Sequence, residues 1–161
     1  MPGMTMNDAA ALIFFVLACF SAALPGAYFR PGEWYESLAK PSWRPPNWVF
    51  GPAWAVLFTT IAVSAWMIWR KSDEADVTLA FAIFGVQLLL NAAWSWIYFG
   101  LRRIDLALIE IALLWVSILA TILAFYRIDP DAGLLLIPYL CWVSFASVLN
   151  FSTWRLNPRT A

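Results

Sequence analysis

Histidine is absent from the 161-residue sequence, and charged side chains make up only 12% of it. The missing histidine removes the commonest general base, zinc ligand and axial haem ligand. A Ser-His-Asp triad, a His-Glu-x-x-His zinc site and a His-ligated haem are therefore excluded by composition alone. Soluble domains carry roughly 25% charged residues and about half apolar ones. Here 63% are hydrophobic, more than a small globule can hide, because its surface is large relative to its core. Net charge is zero, so no basic face for nucleic acid is implied. Cysteine is scarce as well. Cys19 and Cys141 both sit inside apolar runs, outside any Cys-x-x-Cys spacing, and read as buried small hydrophobes.

What remains is apolar sequence in long runs. A bilayer core about 30 Å thick needs roughly 20 apolar residues as a helix. Five stretches qualify, at about 9–29, 48–69, 77–101, 106–126 and 132–154. Lipid offers the backbone no hydrogen bonds, so each run is expected to be helical. The expected fold is an all-α membrane protein, one domain over 1–161, with five transmembrane helices and a short helical connection between the first two. The first run lacks Lys or Arg in Met1–Asp8 and is long for a signal-peptide core, so it reads as a helix rather than a cleaved leader. No repeat of 20–50 residues is visible, and an odd helix count disfavours a simple inverted-repeat transporter.

Nearly every charge falls between the runs or at their ends. One side collects Arg30, Lys40, Arg44, Arg102, Arg103, Arg155 and Arg159; the other has Arg70, Lys71 and Arg127. This bias places the C-terminus in the cytoplasm and the N-terminus outside, for an inner membrane. Glu110, about one turn inside the fourth run, is the exception. It is either a functional intramembrane acid or an acid that reaches headgroups or a partner helix.

The connection RPGEWYESLAKPSWRPPN, 30–47, mixes charge, aromatic rings and four prolines. Glu33 to Ala39 suits a short helix with Trp34 and Leu38 on one face, stopped by Pro41. Pro46 suits the first turn of the next helix. The rings form either an interfacial belt, generic at headgroup depth, or a lid over a cavity. On the third run, Gln87, Asn91, Trp94, Ser95 and Tyr98 recur at helical spacing. On the fifth, Pro138, Trp142, Ala146 and Asn150 do so. Buried amides in lipid need partners, so the first stripe should face the bundle interior, and the second again shares one face. They either glue helices together or wall a site for a flat ligand. Ala22-x-x-x-Gly26 and Ala23-x-x-x-Ala27 permit close helix packing.

Three blocks carry a family resemblance. They are WYESLAKPSWRPPNWVFGPAWAVLF at 34–58, LNAAWSWIYFG at 90–100 and LLIPYLCWVSFASVLNFSTW at 135–154. In order and spacing they resemble the translocator protein family, also known as tryptophan-rich sensory protein or peripheral-type benzodiazepine receptor. The eleven tryptophans fit. The resemblance implies a five-helix bundle in a bacterial membrane, a homodimer, and a cavity under the first loop. That cavity would take a porphyrin such as protoporphyrin IX or a haem-like tetrapyrrole, with no cofactor and no metal. Sterols and synthetic benzodiazepine-type ligands are further family ligands. The implied role is a sensor tied to tetrapyrrole metabolism and to oxygen or light. Light-dependent porphyrin breakdown and transport are the alternatives.

By the same resemblance, Trp54 and Trp142 are the cavity tryptophans tied to ligand stacking and porphyrin reactivity, and so the candidates for any catalysis. Tyr35 corresponds to a ring that closes over ligand. Asn91 and Trp94 match lining positions, and Ala146 a small residue that leaves room. Trp34, Phe58, Tyr98 and Pro138 complete the candidate lining. Ala82 and Gly85 are suggested for a dimer seam. After Tyr139 comes LCWVS, with no cation in reach, so the sterol motif is incomplete and strong sterol binding is not expected.

Overall fold

The computed structural model describes residues 6–29 and 31–158. Arg30, Arg159 and residues 1–5, used above for orientation and the leader argument, lie outside the described residues. The described residues are helical, without strands. Four helical stretches are long and apolar enough to cross a membrane: Asn47–Trp69, Thr78–Gly100, Ile104–Ile128 and Pro130–Leu156. A shorter apolar helix, α1 (Met6–Ala22), precedes them.

The first apolar run is not one helix, as its length suggested. It breaks at Ala23 and resumes as α2 (Leu24–Tyr28). Pro25 has no N–H to give the Ser21 carbonyl, which forces the break. Gly26 then lets α2 approach the next span closely, since a Cβ there would sit 3.2 Å from Ser95 Oγ. The small-residue pair thus serves packing inside the bundle.

In the long connection, α3 (Glu33–Ser37) is shorter than expected, with Leu38 already extended. Its buried face is Tyr35 with Leu38, not Trp34 with Leu38. The second span is α4 (Asn47–Trp69). Pro46 stands just before it, extended, rather than in its first turn. The third span is α5 (Thr78–Ser95), which ends in a π-helical turn, Trp96–Gly100. Arg102 takes a left-handed conformation, φ 57°, and reverses the chain. The fourth span is α6 (Ile104–Ile128). The fifth divides into α7 (Pro130–Leu134) and α8 (Ile137–Leu156), because Pro138 cannot donate to the Leu134 carbonyl.

The long helices and α1 form a ring in the order α4, α1, α5, α6, α8. At the end away from the long connection, the ring closes through backbone approach. Ser64 Oγ donates to the Ala132 carbonyl at 2.7 Å, and Phe15, Phe84 and Phe125 pack with Ile61 and Ile118. Gly133 is required here, because a Cβ would lie 2.7–2.8 Å from atoms of Tyr126, backbone included. Towards the connection, α4 and α8 draw apart, and side-chain rings fill the seam. Cys19 is buried in this core. Cys141 is exposed on the outer face of α8, contrary to expectation. A lipid-facing helix surface is itself apolar, so an apolar run does not mark which cysteine is inside.

Candidate ligand site

The seam between α4 and α8 is built from two aromatic rungs. Trp54 meets Tyr139 edge-on at 6.2 Å, and Phe50 meets Trp142 at 5.7 Å. Phe50, Trp54 and Phe58 are spaced by four on α4, which puts them on one face, and Trp54 stacks on Phe58 at 5.3 Å. On α8, Trp142 leans on Phe145, and Trp43 of the long connection covers Phe145 at 5.8 Å. Trp54, Trp142 and Ala146 are half-buried, while Phe58 is buried. Trp54 and Trp142 each face a ring of the opposite helix rather than one another.

A second ring cluster lies under α3. Tyr98 stacks with Trp94 at 4.9 Å and receives the edges of Trp34 and Tyr35, each at 6.2 Å. The π-helical turn carries Tyr98 inward, where it is 4% exposed, while its neighbour Trp96 faces out. The connection is pinned over this cluster. Arg44 donates to the Tyr35 hydroxyl at 2.9 Å and to Asn47 Oδ1 at 2.7 Å. Lys40 lies 4.6 Å from the centre of the Tyr35 ring, a cation–π arrangement. Asn157, just past α8, brackets Ala39: its Oδ1 accepts from the Ala39 N–H at 3.0 Å and its Nδ2 donates to the Ala39 carbonyl at 2.8 Å. A cavity of about 260 Å³ opens beside this cluster, lined by Gly32, Glu33, Trp34, Phe99 and Arg102.

Tyr139 links the seam to α5, and sequence reasoning did not place it in the site. It is 1% exposed. Asn91 Nδ2 donates to its hydroxyl at 2.8 Å, and the hydroxyl donates to Gln87 Oε1 at 2.9 Å. This chain satisfies two amides and a phenol inside a lipid-embedded bundle, where an unmade bond is expensive. The signal was present: a tyrosine amid apolar residues, opposite an amide stripe, needs a partner for its hydroxyl.

The candidates therefore separate. Trp54, Phe58, Trp142 and Ala146 line the α4/α8 seam. Trp34, Tyr35, Trp94 and Tyr98 gather under the connection. Asn91 sits between the two sets through Tyr139. Pro138 is exposed at the start of α8 and joins neither. Each step of four residues turns about 40° around α8, so the stripe winds, and Pro138 is exposed while Trp142 and Ala146 are half-buried.

Comparison with known proteins places the chain in a family. Residues 10–155 match the model of the TspO/MBR family. The chain belongs to that family. It is 44% identical over 147 residues to the protein CrtK of Rhodobacter capsulatus, covering 91% of each chain. It is 37% identical over 150 residues to the tryptophan-rich sensory protein of Cereibacter sphaeroides, covering 93% of each. Against the human translocator protein, identity is 38% over 150 residues, covering 89% of this chain and 88% of that one. TspO/MBR membership and several apolar helices make this a multi-pass integral membrane protein.

Proposed function

We propose that this chain is a membrane sensor that binds porphyrins, protoporphyrin IX-like tetrapyrroles, in the loop-side half of a bundle that crosses the bilayer five times. The supporting observation is the α4/α8 seam, where the helices are held apart by rings rather than by backbone packing. Flat aromatic walls with a few fixed polar groups suit a large planar macrocycle. Trp54 and Trp142 would exchange their present ring partners for the macrocycle faces. Trp43 and the connection anchored through Asn157 would cover it. The names of relatives, a sensory protein and a translocator protein, accord with ligand recognition in the membrane.

The bundle is oriented with its C-terminus in the cytoplasm, which puts the long connection on that side. It pairs with a second copy across the outer face of α5, where a Cβ on Gly85 would meet open space and Ala82 is exposed.

Tryptophan fluorescence on titration with protoporphyrin IX tests the site. Each aromatic contact is worth about 1 kcal/mol beyond burial. Trp54→Ala with Trp142→Ala should therefore weaken binding about thirtyfold. Quenching in the double variant that matches the wild type sinks the assignment.

A further inference from the structure

Buried polar atoms of three side chains have no protein partner among the described residues: Trp94 at Nε1, Glu110 at both carboxyl oxygens, and Asn150 at both amide atoms. Glu110 is 6% exposed and Asn150 is 2% exposed. Glu110 is thus not an acid reaching towards headgroups, as one reading of the sequence had it. Buried polar atoms in folded proteins are satisfied almost without exception, so each orphan needs an explanation.

The three lie at one level of the bundle. Helices α6 and α8 are pinned by Trp115 Nε1 donating to Ser144 Oγ at 2.8 Å. The two helices are antiparallel, so stepping back from Trp115 to Glu110 and forward from Ser144 to Asn150 covers nearly the same rise. On the other side of α6, Ile104 and Ala107 pack in a buried cluster with Tyr98, and Trp94 packs against that cluster. Trp94 is one turn further into the bundle than Tyr98, and Glu110 one turn further than Ala107. Hence an indole N–H from α5, a carboxyl from α6 and an amide from α8 face a common interior level. The neighbouring titratable groups there are Tyr98 from α5, whose hydroxyl faces the Thr153 side chain, and Tyr139 from α8, within electrostatic reach of Glu110. Cys19 from α1 lies near Tyr139. No Lys or Arg among the described residues pairs with Glu110.

We propose that Trp94, Glu110 and Asn150 enclose a bound-water site inside the bundle, with Glu110 held there as a neutral carboxylic acid. The donor set decides the class of ligand. A Ca²⁺ or Mg²⁺ site presents oxygens alone, whereas this one also presents an indole N–H and an amide NH₂, and it has no His or Cys for a softer metal. A protonated carboxyl adds one donor and keeps an acceptor, so the set offers both roles, which is what water requires. An ionised carboxylate without a counter-charge would be far too costly at this depth. The water site fills the gap between two satisfied polar groups, Tyr98 with Thr153 on the loop side and Asn91–Tyr139–Gln87 further in.

Infrared spectroscopy of the full chain in liposomes at neutral pH tests this without any ligand. The expected spectrum has a carbonyl band of a protonated carboxylic acid. That band is lost in Glu110→Gln, shifts in D₂O, and moves in Asn150→Leu and in Trp94→Phe as water partners are removed. The last two variants keep the test valid should Glu110→Gln fail to fold. A spectrum in which Glu110→Gln removes only ionised carboxylate bands overturns the neutral acid. A protonated band that D₂O leaves in place overturns the water.

Discussion

The two ends of the bundle are packed with different aromatic residues. Away from the long connection, Phe15 stacks on Phe81 at 5.5 Å and Phe84 on Phe125 at 5.7 Å. Beneath the connection, Phe50, Phe58, Phe99 and Phe145 are joined by Trp34, Tyr35, Trp54, Trp94, Tyr98, Tyr139 and Trp142. Phenylalanine is satisfied by packing alone. Tryptophan and tyrosine carry an N–H or O–H that must find a partner when buried. The phenylalanine end is therefore complete in itself and free to be rigid. The other end holds polar atoms that are partly met within the protein, as at Tyr139, and partly not, as at Trp94. The end that cannot close on itself is the one suited to a ligand.

Breaking this division should affect stability at one end and binding at the other. The largest effect is expected from Phe125→Ala, which empties a fully buried ring position and should destabilise the protein by about 3–5 kcal/mol. Thermal denaturation in detergent micelles reads this, and porphyrin affinity of the folded fraction should stay as in the wild type. A joint loss of affinity, equal to that of the Trp54 and Trp142 variants, would erase the distinction. Next is Gly133→Ala, also at the phenylalanine end. Its new methyl meets the Tyr126 backbone, which cannot yield as a flexible side chain would, so about 1–3 kcal/mol is expected. Tyr139→Phe should follow. It removes one hydroxyl, leaves Asn91 and Gln87 unpaired, and costs about 1–2 kcal/mol. Because Tyr139 also backs Trp54, this variant should lower both stability and porphyrin affinity, unlike either of the first two.

Much of this was legible in the sequence, because lipid imposes a simple rule on it. Apolar runs of sufficient length must be helices, which located the spans. The stripe Gln87, Asn91, Tyr98 reads as interior because buried amides need partners, and all three are buried. What sequence did not reveal was depth and direction within a span. Glu110 is buried although the sequence set it near enough to the end of its run for an acid to reach headgroups. Cys141 faces out although its run is as apolar as that of Cys19. Both follow from helix rotation about its own axis, which packing sets and a uniformly apolar sequence leaves unmarked. The breaks at Ala23 and before Ile137 followed from Pro25 and Pro138, but span length alone concealed them. Tyr139 escaped the site because its role depends on partners two helices away in the ring.

The smallest effect should come from a solvent-exposed polar contact in the loop that joins α4 to α5, outside the packed interior of the phenylalanine end. Asp76 lies just before α5, exposed to solvent, and its Oδ1 accepts from the Thr78 N–H at 2.9 Å. That hydrogen bond holds the carboxyl below its ordinary range. A carboxylate depressed on folding contributes stability that is complete above its unfolded pKa and disappears as pH falls through the folded value. The thermal midpoint of the wild type should accordingly exceed that of Asp76→Asn slightly at neutral pH, and the gap should close in acid. If hydrogen bonding matters here mainly through burial, as the contrast between Tyr139 and the phenylalanine end requires, this gap must be smaller than the one opened by Tyr139→Phe. An equal or larger gap would mean that the charge at the mouth of α5, rather than the buried amide chain, governs how that helix is held.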